Sequence, residues 1–272
     1  MNSVEPRALD FSAVDDLAFA AERGCLDVGL LPYSFVSHQL GPLLELYQLT
    51  RTGAGPSSLR GGWLNVDQFR GLGAALVGSA AHWASKSDRP FGILKSCTAA
   101  SEEEWIGFLM DAKRAATEVG IVSEWAAQMT AALGEFHSNI IEHSGARDTG
   151  FVAFSASPGV FEFVASDCGV GLLATLRQAP ESTGLDEHGQ ALRVALTDGA
   201  SRYGSDQGRG YGFRPLFVGL ANRQAALRFR TGDACLSIDG KGPTLARSQL
   251  GRKAAIGGFF ISVTCRAGPP PS

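Results

Sequence analysis

The sequence predicts an α+β protein whose strands gather in its C-terminal half. Three observations carry this. Residues 101–143 hold two consecutive runs of helical periodicity with end signals; Phe151–Ser155 and Val160–Ala165 are apolar strand-like runs joined by the turn sequence Ser157-Pro158-Gly159; and three more strand-like runs, 227–230, 234–238 and 259–265, follow a short helical stretch.

Taken in order, residues 1–50 give a helical stretch over Leu17–Arg23, a strand over Leu26–Leu31 ahead of Pro32, and helical spacing over Leu40–Leu49. Residues 52–62 are a loop on their glycine, serine and proline content. Val66–Trp83 reads as an alanine- and leucine-rich helix, and Phe91–Cys97 as a short strand after Pro90. Ser101 with Glu104 three residues later forms a capping box, so a helix begins there and stops at Gly120. A second helix spans Ser123–His143, closed by Ser144-Gly145. After the hairpin, the polar stretch 172–207 has the length of a lid and contains a helical piece over Glu187–Leu196. Phe213–Asn222 is helical, with Pro215 tolerated in the first turn, and residues 268–272 are a frayed tail.

Composition bounds the partners. With 272 residues, 44% hydrophobic and 19% charged, the chain has ample length for a core and is no disordered segment. A net charge of −3 offers no global attraction to nucleic acid and leaves room only for a local basic patch, so no nucleic-acid partner is expected. Five scattered cysteines without a Cys-x-x-Cys argue against a disulfide framework or zinc ribbon and favour buried thiols in a reducing compartment. The most apolar stretch, Leu72–Trp83, is too short to span a membrane, and the early acids Glu5, Asp10, Asp15 and Asp16 are unlike a signal peptide. A cytoplasmic protein is expected.

The chemistry concentrates at Gly134–His143. Glu135, Asn139 and His143 recur every fourth residue and stack along one side of a helix, while Trp125, Met129, Leu133, Phe136 and Ile140 form an apolar stripe beside them. Two glycine-rich turns follow, Asp167-Cys168-Gly169-Val170-Gly171 and Gly208-Arg209-Gly210-Tyr211-Gly212. Each is weak alone: with 34 glycines in 272 residues, Gly-x-Gly-x-Gly arises by chance in about every second such chain. Their order adds weight, because the hairpin delivers Asp167 and the second cluster opens a helix, where free N–H groups suit phosphate. Amide and carboxylate oxygens suit Mg²⁺. The plainer alternatives are a solvated acid at Glu135, a helix-face amide at Asn139 and an ordinary turn at Asp167.

In these motifs the chain resembles the Bergerat-type ATPases, the histidine kinase-like superfamily of DNA gyrase, mismatch-repair ATPases and sensor histidine kinases. The resemblance covers about residues 101–265. Glu135-x-x-x-Asn139-x-x-x-His143 is similar to the N box, in the version carried by anti-sigma-factor serine kinases; the two glycine clusters resemble the family's glycine boxes. The resemblance implies a two-layer α/β sandwich over 101–267, a mixed sheet with helices on one face. A smaller α/β or mostly helical region, 1–100, precedes it and serves either dimerisation, giving a homodimer, or partner docking.

It implies ATP and Mg²⁺ as cofactors. Asn139 would ligate the metal, and Glu135 would orient or deprotonate the attacking hydroxyl or water. Asp167 would accept a hydrogen bond from the adenine amino group, with Gly169 and Gly171 close to the base. Gly208, Gly210 and Gly212 would cradle the phosphates, with Arg209 and Tyr211 in the same turn. His143 either touches phosphate or only complements its helix end; Arg202 and Arg209 either neutralise phosphate or are solvated. Two departures stand out. The last strand reads Gly257-Gly258-Phe259 where the family often has Gly-Thr, so a hydroxyl near adenine is missing, and Tyr211 and Phe213 are bulkier than the usual aliphatics.

Three functions remain open: a serine/threonine kinase acting on a small regulatory protein, a nucleotide-gated binding module with little turnover, and an atypical histidine kinase. The last rests on Ser37-His38-Gln39-Leu40-Gly41-Pro42-Leu43, which resembles a phosphoacceptor box but is one residue short, a shift of about 100° on a helix.

Overall fold

The computed structural model describes residues 6–85, 89–96, 100–178, 183–196, 213–241 and 248–268. Its centre is a six-stranded sheet in the order β4-β5-β6-β7-β9-β8, formed by His82–Ala84, Phe91–Lys95, Phe151–Ser157, Val160–Asp167, Gln249–Arg266 and Ala226–Asp239 respectively. Every neighbouring pair is antiparallel. A second, three-stranded parallel sheet is made of β1 (Arg7–Ala8), β2 (Phe35–Val36) and β3 (Leu64–Asn65). The α+β class therefore holds, but the mixed sheet is corrected to an antiparallel one.

Both faces of the large sheet are covered: the helices after residue 101 all lie on one face, as expected for 101–267, and those of the N-terminal region add a third layer on the other. Alternation along the strands separates the faces: Val152, Phe154, Phe161 and Phe163 enter one core, whereas Phe151, Ala153 and Val164 enter another. The first core is closed by α4 (Glu102–Glu118), α5 (Ser123–His143), α6 (Gly171–Leu176), α7 (His188–Ala195) and α8 (Phe213–Asn222). The second is closed by α1 (Phe11–Glu22), α2 (Leu40–Arg51) and α3 (Leu72–Val77). Burial on both sides explains why β6 and β7 read as near-continuous apolar runs.

The strand pair β4–β5 lies ahead of residue 101 and hydrogen-bonds through β5 to β6, so the sheet reaches into the N-terminal region. That region is fastened to the sheet by charge as well as packing. Glu45 of α2, fully buried, receives Arg228 Nε at 2.6 Å and also pairs with Arg230, while Asp15 of α1 receives Arg228 at 2.6 Å and Lys253 at 2.6 Å. Glu162 of β7 accepts the N–H of Leu40 at 3.0 Å and so caps α2 from the sheet.

The capping box at Ser101 and Glu104 is formed in both directions, and α5 has the predicted bounds with Trp125, Met129, Leu133, Phe136 and Ile140 all buried. Elsewhere the sequence misled. The helix expected over 66–83 is a 3-10 turn at Asp67–Phe69, the short α3, and β4: Gly71 takes a left-handed φ of 95° and Gly78 ends α3. The strand expected at 26–31 is a 3-10 turn over Val28–Leu30, held by Asp27 Oδ1 accepting the Gly29 N–H. The two strands expected at 227–230 and 234–238 are one, β8, with a bulge at Gly232; Leu227 and Phe229 before it and Ala234, Leu236 and Ile238 after it face the same core. No described helix is long and apolar enough to cross a membrane. Of the described cysteines, all free, Cys235 and Cys265 are buried, Cys168 is half-buried and Cys25 is exposed.

Candidate functional site

The end of α5 and the turn after β7 meet. Val170 N–H donates to the Ser144 carbonyl at 2.9 Å, and Cys168 N–H to Thr149 Oγ1 at 2.9 Å. Gly169 runs so close to Ser144 that a Cβ there would overlap its carbonyl, so only glycine lets the turn lie against the helix end. Asn139 and His143, both half-buried, Asp167 and Gly171 line one cavity of about 40 Å³, closed by Phe229 and Phe259 among others. The structure thus brings together four predicted positions. Gly169 instead lines a neighbouring cavity of about 580 Å³, which shares Gly171 and includes Thr52, Thr231, Gly257 and Gly258.

Asp167 is the pivot of the small cavity. It is 1% exposed; Oδ1 accepts the Gly169 N–H at 2.7 Å, whereas Oδ2 has no hydrogen-bond partner among the described residues. Burial pushes its pKa up to about 6. A buried carboxylate oxygen without a donor is costly, and a ligand N–H placed against it removes that cost.

Glu135 stands one turn before Asn139 but is exposed and lines neither cavity. Gly208, Arg209, Gly210, Tyr211 and Gly212, with Arg202, lie outside the described residues. His38 is not on a helix: it precedes α2 in the connection from β2, exposed, with Nδ1 at 2.7 Å from Gln68 Nε2. His137, on another side of α5, is stacked on Trp105 at 4.2 Å, and burial lowers its pKa to about 4. Among the described residues no three His, Cys, Asp or Glu gather as a metal site.

Two residues were missed by the sequence reading. Thr231 of β8, fully buried, accepts the Leu172 N–H at 3.1 Å and donates to the Gly258 carbonyl at 3.1 Å, so a hydroxyl that residue 259 of β9 lacks stands opposite it on the neighbouring strand. Gln48 of α2 donates from Nε2 to the carbonyls of Asp167 at 2.6 Å and Gly257 at 2.7 Å. Neither stands in a recognisable motif, and only their contacts across the fold reveal them.

Comparison with family models, with curated proteins and with solved structures finds no match to this chain.

Proposed function

We propose that this chain binds a magnesium–adenine nucleotide between α5 and the turn after β7, and acts as a serine/threonine kinase on a small regulatory protein. The supporting observation is the convergence of Asn139, His143 and Asp167, whose Oδ2 has no partner among the described residues, on one cavity. The residues fit the group in kind. Asp167 Oδ2 is an acceptor for the adenine amino group, and Asn139 offers one hard oxygen for a cation whose other ligands come from phosphates and water. Magnesium, when bound, neutralises phosphate charge. The cavity has about the volume of one water, so a purine is admitted only after its walls part. In this reading Glu135 orients or deprotonates the acceptor hydroxyl, and the cluster from Gly208 to Gly212 holds the phosphates.

One observation favours a second reading, a nucleotide-gated binding module with little turnover: Glu135 is exposed and apart from the cavity that holds Asn139. The histidine-kinase reading loses its footing, because His38 lacks the helical setting on which it depended.

Calorimetric titration with ATP or ADP plus magnesium tests the site. Binding that Asp167→Asn weakens is expected, and no heat at several temperatures would sink the proposal. Transfer of labelled phosphate to a protein partner separates the kinase from the binding module.

A further inference from the structure

The end of β7 is an irregular place in the sheet. Asp167 is the last residue of the strand and pairs with Phe259. One step beyond, the β8–β9 register jumps: Thr231 pairs with Phe259 but Gly232 with Ile256, leaving Gly257 and Gly258 out of the ladder. Such a bulge frees backbone carbonyls that burial makes expensive to leave unpaired. Gln48 meets them from outside the sheet. Its amide nitrogen donates to the carbonyls of Asp167 at 2.6 Å, Gly257 at 2.7 Å and Phe259 at 3.2 Å, and its Oε1 accepts the Ser166 hydroxyl. With acceptors on the nitrogen side and a donor on the oxygen side, the amide has one workable orientation. Gln48 is fully buried and belongs to α2, which the buried Glu45 fastens to Arg228 and Arg230 one turn away.

We propose that Gln48 is a positioning residue for base recognition: by fixing the backbone of Asp167 against the bulge, it sets where the Asp167 carboxyl stands, and it makes the N-terminal region part of the nucleotide site. The proposal rests on the adenine-nucleotide reading above. It carries a consequence for regulation. A partner or second copy that shifts α2 changes affinity for the base without touching it, because α2 holds the carbonyls of Asp167, Gly257 and Phe259.

The test compares ATP with inosine triphosphate, which lacks the amino donor that Asp167 accepts. Affinities for both, with magnesium, are measured on the full chain for wild type, Gln48→Met and Ser166→Ala, alongside thermal unfolding. The wild type is expected to prefer ATP by about tenfold, the worth of one good hydrogen bond to a charged group. Gln48→Met, similar in shape but without donors, is expected to bring that ratio close to one, and Ser166→Ala, which frees one end of the amide, to an intermediate value. A purely structural role lowers the unfolding temperature and weakens both nucleotides alike, leaving the ratio intact; that result in Gln48→Met overturns the proposal. Should Gln48→Met fail to fold, Ser166→Ala decides, and an unchanged ratio there overturns it equally. A wild type that binds neither nucleotide, or does not distinguish them, instead defeats the underlying reading of Asp167.

Discussion

Gly258 passes Asp167 so closely that a Cβ on residue 258 would overlap the Asp167 carbonyl and stand 2.5 Å from its Oδ1. Its φ of +70° is also one that side-chain-bearing residues rarely adopt. The backbone of β9 is thus the wall against which the carboxyl is pressed. Gly258→Ala is expected to cost at least about 2 kcal/mol in urea unfolding and to weaken nucleotide binding by the protein that still folds. Gly257→Ala is the control: only the Thr52 side chain stands near, its closest atom at 3.1 Å, so the expected cost is below about 1 kcal/mol. Equal costs at the two positions would contradict the tight contact.

Asp167 gives a pH signature whose sign follows from burial. Its pKa is raised from 3.8 to about 6, so the folded state favours the protonated carboxyl. The stability this contributes is full below pH 3.8 and is lost as pH rises through 6. The difference in unfolding free energy between wild type and Asp167→Asn should therefore move against the wild type between pH 4 and pH 8, by up to about 3 kcal/mol. Nucleotide affinity runs the other way. If, as proposed, the adenine amino group donates to the ionised oxygen, ATP binding should fall as pH drops below 6 in wild type and stay level across that window in the variant.

How much of this was legible in the sequence follows from the range over which each residue acts. The α5 stripe was legible because Trp125, Met129, Leu133, Phe136 and Ile140 repeat at helical spacing and face one core. Asp167 was legible because it ends an apolar strand and precedes two glycines. The second core was not. The leucines of α2 signalled a helix, but nothing local says that Leu40, Leu44 and Leu46 pack on the sheet with Phe91, Phe151 and Phe260. Gln48 illustrates the limit: the partners of its side-chain amide stand 118 to 211 residues away in sequence. The 66–83 error has the opposite origin, since alanine and leucine raised helical propensity while Gly71 and Gly78 broke the stretch.

The charge cluster under the sheet predicts large effects from one carboxylate. Glu45 is fully buried and serves both Arg228 and Arg230, the latter also fully buried. Removing it leaves two guanidinium groups that, among the described residues, share Asp15 as their carboxylate partner. Glu45→Ala is expected to destabilise by about 3–5 kcal/mol, and Lys253→Ala, whose side chain is 30% exposed, by under about 1 kcal/mol. Guanidinium chloride is unsuitable because its salt screens charge, so urea unfolding at low ionic strength is the measurement. A Glu45→Ala cost below that of Lys253→Ala would mean that packing alone, without the ion pairs, fastens α1 and α2 to the sheet.

The separation of Glu135 from Asn139 predicts different losses from two neighbouring turns of one helix. Asn139 lines the cavity with His143 and Asp167; if it ligates magnesium as proposed, Asn139→Ala should weaken Mg–ATP binding by about tenfold or more, with magnesium-free nucleotide less affected. Glu135 is exposed and outside the cavity, so Glu135→Ala should leave nucleotide affinity within about twofold. Its effect belongs to turnover. In the kinase reading, phosphate transfer falls by about 10²-fold or more, the usual contribution of a positioned general base. Binding and transfer measured side by side on both variants assign the roles. Unchanged transfer in Glu135→Ala removes the acid from the reaction, and equal loss of affinity in both variants would place Glu135 against the nucleotide.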